Sequence, residues 1–170
     1  MMENTIPMPV IIQKIARNKD EAKEMIYAYE TEVTVERSKK EIEELIDKFS
    51  ATDVQFTFKT SNKARYFRFI IHDSALNRDL YFHFDIPYLK LRIKNRKATT
   101  DYDLEKEAFR LVIIDLKSRL YRLGTNNNRP ATVLMDHLLT RFRIPLIDYL
   151  TQEGSNIQGL LPVHKDYEES

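Results

Sequence analysis

Hydrophobic and polar positions alternate with period two over three successive stretches in the middle of the chain. Val54, Phe56 and Phe58 interleave with Asp53, Gln55, Thr57 and Lys59. Phe67, Phe69 and Ile71 interleave with Tyr66, Arg68, Ile70 and His72. Leu80, Phe82, Phe84 and Ile86 interleave with Tyr81, His83 and Asp85. Strict alternation with one phenylalanine-rich side predicts strands of an antiparallel sheet covered on one face. Ser61-Asn62-Lys63 and the segment from Asp73 to Arg78 supply turn residues, and Pro87 closes the last strand.

Helical spacing brackets these strands. Ile42, Leu45, Ile46 and Phe49 recur on one stripe, with Ser38 as a candidate N-cap and Glu41 three residues later as its capping-box partner. Glu32 to Val35 reads as a short strand ahead of that helix. A long helix is predicted over residues 104–123, where Phe109, Val112, Ile113, Leu116, Leu120 and Leu123 form the main stripe, Leu111 and Ile114 widen it, and Gly124 sits at the C-cap. Pro130 suits the first position of a further helix over residues 131–142. Residues 8–29 read as irregular helix, with Met25, Ile26 and Tyr29 on one side and Pro7 and Pro9 excluding helix before them.

The expected fold is therefore α+β: an antiparallel three- to four-stranded meander sheet with helices packed mainly on one face. The expected organisation is an N-terminal helical arm over 1–30, a single α+β domain over 31–163 and a loose tail over 164–170. At 170 residues the chain is long enough to bury a substantial core. The three glycines all follow residue 123, which rules out the usual phosphate-cradling loops and leaves asparagine as the expected carrier of left-handed turns. The absence of cysteine excludes disulfides, thiolate catalysis and cysteine-ligated metals. No apolar run has the length of a membrane span, and the N-terminus lacks the pattern of a signal peptide. A cytoplasmic protein is expected.

Charge changes the picture more than composition does. The net charge is only +1, but residues 59–97 carry ten Lys/Arg against three Asp/Glu. Gathered cations point to an anionic partner. Lys90, Arg92, Lys94, Arg96 and Lys97 follow the meander and alternate at first with Leu89, Leu91 and Ile93. They read either as a basic edge strand tracking a phosphate backbone or as an edge kept from aggregating by its charges. The polar side of the meander would carry Tyr66, Arg68, His72, Tyr81, His83 and Asp85. Tyrosines and an arginine on an open sheet suit base stacking and phosphate contact, although the same residues are ordinary on a solvated β surface. His72, His83 and Asp85 are a weak candidate for a metal or acid–base site, without helical histidine spacing to support it. Asp115 and Arg119 suit an intrahelical ion pair, and Arg119, Arg122 and Arg129 are candidates to extend the basic surface.

The run from Val33 to Ile46, closed by Phe49 and Ala51, then the meander ending at Pro87 and the long helix from Phe109 to Leu120, resembles a family of small phage and mobile-element proteins over about residues 32–140. The resemblance implies a non-enzymatic accessory protein acting, where phage encoded, in the host cytoplasm, with no catalytic motif or cofactor to carry over. The expected function is nucleic-acid binding through Tyr66, Arg68, Tyr81, Lys90, Arg92, Lys94, Arg96 and Lys97. The competing expectation is a protein-interaction module, a homo-oligomer or an inhibitor of a host factor. In that case Met25, Ile26 and Tyr29 or the 144–161 segment would supply the docking face.

Overall fold

A computed structural model describes residues 9–59, 64–125 and 129–139. The chain is an α+β protein, and its described residues form two three-stranded sheets. The elements run β1 (Ile11–Ala16), α1 (Lys19–Met25), α2 (Val35–Asp47), β2 (Ala51–Phe58), β3 (Arg65–Asp73), β4 (Arg78–Asp85), β5 (Tyr88–Lys94), β6 (Thr99–Asp103), α3 (Glu105–Thr125) and α4 (Pro130–Val133). A 3₁₀ turn (Met135–His137) follows.

The alternating stretches form the antiparallel meander β2-β3-β4. Phe67 pairs with Phe56 on one side and Phe84 on the other, and Phe69 pairs with Phe82, so the rings stack in one layer. Ile42, Ile46 and Phe49 of the α2 region and Phe109, Ile113 and Leu116 of α3 close over it. Each such buried side chain contributes about 1.5–3 kcal/mol. Glu41 fastens the two helices, accepting from Arg110 Nη1 at 2.5 Å and Lys117 Nζ at 2.7 Å. Burial opposes ionisation of Glu41, but these two cations prevail and hold its carboxyl below the usual range.

β5 does not extend the meander as a fourth strand. It is the central strand of a second sheet, ordered β1-β5-β6, parallel to β1 and antiparallel to β6. Leu89, Leu91 and Ile93 face a second core with Ala16, Ala22, Ile26, Leu104 and Ala108. Its opposite face is polar, which is why one strand looks like a basic edge in sequence yet lies inside a sheet. The first turns of α3 cover this second core and the remainder covers the first, so α3 ties the two sheets together. Arg65, buried at the start of β3, adds a polar tie: it donates to Ile86 O and Pro87 O, reaches Glu105 at 3.3 Å and lies 4.1 Å from the Tyr88 ring centre. Burial lowers its affinity for its proton, opposed by Glu105.

Several expectations change. The segment read as a helical arm begins with a strand, and only Lys19–Met25 is helical. Ile26 is buried in the second core and Tyr29 packs against it, leaving Met25 exposed; the three do not form a free apolar face. Residues 32–35 form no strand. Thr34, not Ser38, caps α2, accepting from Arg37 N at 3.2 Å, and Ser38 is enclosed one turn inside the helix. The helix starts earlier because Val35 also packs against the core. Gly124 lies within α3 rather than at its cap, and the helix expected over 131–142 stops at Val133. With few glycines, left-handed backbone among the described residues falls on Ala28, Glu30, Ser50, Asp53 and Asn77. The Ser61 turn, the 144–161 segment and the 164–170 tail lie outside the described residues.

Candidate nucleic-acid interface

The basic run follows directly from the second sheet. Alternation along β5 turns Lys90, Arg92 and Lys94 to the face opposite the core. Antiparallel pairing brings Asp103 beside Lys90, Asp101 beside Arg92 and Thr99 beside Lys94. Arg92 is bound by Asp101 through two hydrogen bonds, 2.7 and 3.0 Å. This contact draws the Asp101 carboxyl below its usual range and raises Arg92. A shallow cleft of about 400 Å³ lies over these pairs, between Gln13, Arg92 and Tyr102. β6 thus brings acid to the middle of the basic strand.

The far end of the hairpin is different. Asn95 Oδ1 accepts from Lys97 N at 3.0 Å and Ala98 N at 2.7 Å, and Asn95 N donates to Ala98 O at 3.0 Å. Such an Asx turn fixes the backbone. Lys94, Arg96 and Lys97 are exposed around it, and among the described residues none has an acidic partner.

The meander's polar face is less open than alternation suggests. Tyr66 is only 4% exposed and His83 is buried, whereas Tyr81 is 53% exposed. Arg68 lies opposite His83 in register and donates from Nε to His83 Nδ1 at 3.0 Å. That bond makes Nδ1 the acceptor, so Nε2 carries the proton and donates to Asp85 Oδ1 at 3.1 Å. The Tyr66 ring stacks 4.6 Å from His83, with the Arg68 guanidinium 4.8 Å from its centre. Tyr66 and Arg68 are thus engaged with their neighbours, and both His83 ring nitrogens are occupied. His72 lies opposite Asp79 and meets it at 2.9 Å, while His83 lies opposite Arg68, so the candidate His72, His83 and Asp85 site does not assemble. Among the described residues no three His, Asp or Glu side chains converge on a metal site.

Arg119 does not extend a basic surface either. Only 8% exposed, it donates to Asp115 at 2.9 Å, to both Asp136 oxygens at 2.6 and 2.8 Å and to Val133 O at 2.9 Å. Burial disfavours its charge, but the Asp136 and Asp115 bonds outweigh that and raise it. Arg129 reaches Asp73 at 3.2 Å. Sequence reasoning missed both the Arg65 tie and the clamp that Arg119 makes with Asp136.

Comparison of the chain with family models, with curated proteins and with solved structures returns no match. Among the described residues no helix is long and apolar enough to cross a membrane.

Proposed function

We propose that this protein is a non-enzymatic nucleic-acid-binding accessory protein that grips phosphate with the β5–β6 hairpin. The observation that carries the reading is the rigid Asn95 turn bearing Lys94, Arg96 and Lys97 without acidic partners among the described residues. Lys90 adds charge further along the strand, and the exposed Tyr81 is the one tyrosine of the expected pair free to stack on a base. Tyr66, Arg68 and Arg92 serve as supports. An accessory role in a mobile element accords with the family that the sequence resembles.

The test is fluorescence anisotropy with labelled single- and double-stranded oligonucleotides at low salt. Three phosphate contacts give a slope of log K against log salt of about −2.7 for duplex and about −2.1 for a single strand. Binding is expected at tens of micromolar and is lost in Lys94→Ser/Arg96→Ser/Lys97→Ser, whose circular dichroism should match wild type. No binding, or equal binding by the triple variant, refutes the hairpin reading.

A further inference from the structure

The second sheet ends on β1, which among the described residues pairs with β5 alone. Tyr88 N donates to Val10 O at 2.7 Å, and Ile11 is the register partner of Tyr88. In a parallel ladder this phase turns the backbone groups of alternate residues towards the neighbour and the rest away. The N–H and C=O groups of Ile11, Gln13 and Ile15 therefore point out of the sheet edge. None of the three makes a backbone bond beyond the ladder among the described residues. Their side chains share one face, and Ile11 is 60% and Ile15 51% exposed. Val10, immediately before them, is exposed too. An open, β-branched edge without a charge on its outward face is a template for another strand.

The sequence of this edge fits itself. A twofold axis through Gln13 in an antiparallel pairing sets Ile11 opposite Ile15 of the other copy, Gln13 opposite Gln13 and Ile12 opposite Lys14. No like charges face each other directly. The pairs Ile11/Ile15, Gln13/Gln13 and Ile15/Ile11 are also those whose backbone groups point outward, so they fall on the hydrogen-bonded positions of the new ladder. The backbone phase requires only that outward-pointing residues face one another; among the registers that meet it, the one centred on Gln13 pairs all three and keeps Lys14 from facing Lys14.

We propose that β1 is a homodimer edge: two copies pair antiparallel through Ile11, Gln13 and Ile15. The strands of both copies then run as one sheet, β6-β5-β1 of one onto β1-β5-β6 of the other. About six backbone hydrogen bonds form and the isoleucines close over each other. A contact this small gives a dimer in the micromolar range rather than an obligate one. It does not depend on the nucleic-acid reading.

The experiment is sedimentation velocity of the full chain from low to several hundred micromolar, with three sequences compared. Wild type shifts from monomer to dimer. Ile11→Lys/Ile15→Lys sets lysine against lysine across the axis and weakens association at least about tenfold. Ile11→Lys/Ile15→Glu sets the introduced lysine of each copy against the introduced glutamate of the other and restores the dimer. Both variants alter exposed side chains, and their thermal melts should stay close to wild type as a check on folding. Wild type that remains monomeric overturns the proposal. So does a charge-complementary variant that associates no better than the lysine pair, because only the stated register distinguishes them.

Discussion

Replacing Arg119 by methionine tests how the last described turn is held to the fold. The substitution keeps an unbranched stem in the buried position but removes four hydrogen bonds, one to Val133 O and three to Asp115 and Asp136. The Val133 carbonyl belongs to a buried residue and loses a donor, at a cost of about 1–2 kcal/mol. The carboxylates cost less, because Asp115 and Asp136 side chains are 44% and 55% exposed and water can replace the guanidinium. Their loss is discounted from the buried-pair range to about 1 kcal/mol together. The expected destabilisation is about 2–3 kcal/mol, read by urea denaturation at neutral pH, or a fall in Tm of about 4–12 °C. Arg119 also holds the Asp136 carboxyl below its usual range against the opposing effect of burial. A depressed carboxyl stabilises the fold above its unfolded pKa, and that stabilisation is lost as pH falls through the lower folded value. The cost of the substitution should therefore shrink towards about pH 3. A cost below about 0.5 kcal/mol at neutral pH would refute the clamp. A cost equal at both pH values would assign it to packing and the Val133 carbonyl bond, with nothing from the carboxylates.

Two further outcomes follow from buried polar groups. Ser38 Oγ is enclosed in α2 without a hydrogen-bond partner among the described residues, so Ser38→Ala should stabilise by about 0.5–1.5 kcal/mol through desolvation and helix propensity; a destabilised variant in urea titration would show that the hydroxyl is satisfied. Burial, aided by Arg119, lowers the His137 pKa although Asp136 opposes it, and His137 meets His83 O at 3.0 Å and stacks on Phe84. A depressed histidine stabilises fully above its unfolded value of about 6.5 and loses that stability as pH falls through the folded value. Wild type should therefore lose stability more steeply than His137→Gln between about pH 7 and pH 5; parallel curves would contradict this.

What could be read from the sequence depended on whether pairing is local and half-buried. The meander was legible because its phenylalanines repeat on one face and its strands follow one another. β1 was not: its partner β5 lies far along the chain, and a parallel pair has no hairpin turn to announce it. β6 was missed because all five of its residues are exposed, leaving no hydrophobic period to detect. The site inherited both omissions. Without β6, Asp101 had no reason to stand beside Arg92; with it, one of the five basic residues is neutralised and the remainder are sorted by position. Alternation correctly put Tyr66, Arg68 and His83 on one side of the meander. It carried no information about depth, so it could not distinguish an open stacking platform from a half-buried Arg–His–Asp chain around the buried His83.

The two proposed contacts occupy different parts of one sheet. β5 runs parallel to β1, with Ile93 level with Ala16, so the Asn95 turn stands about five residues beyond the axis through Gln13. In the twofold pair the two turns project from opposite ends. On an untwisted sheet they are separated by about 33 Å along the strands and about 14 Å across three strand spacings, or about 36 Å in all. Antiparallel pairing keeps the polar faces of both copies on the same side, so the two cationic turns border one continuous surface. Their separation is close to one turn of duplex DNA, about 34–36 Å. A dimer would then hold two phosphate grips at the spacing at which a duplex presents the same groove again. A second grip acts at a high effective concentration only when a single ligand can span both. Dimerisation at β1 would thus favour duplexes of about ten base pairs or more over shorter ones, without adding a contact to either hairpin.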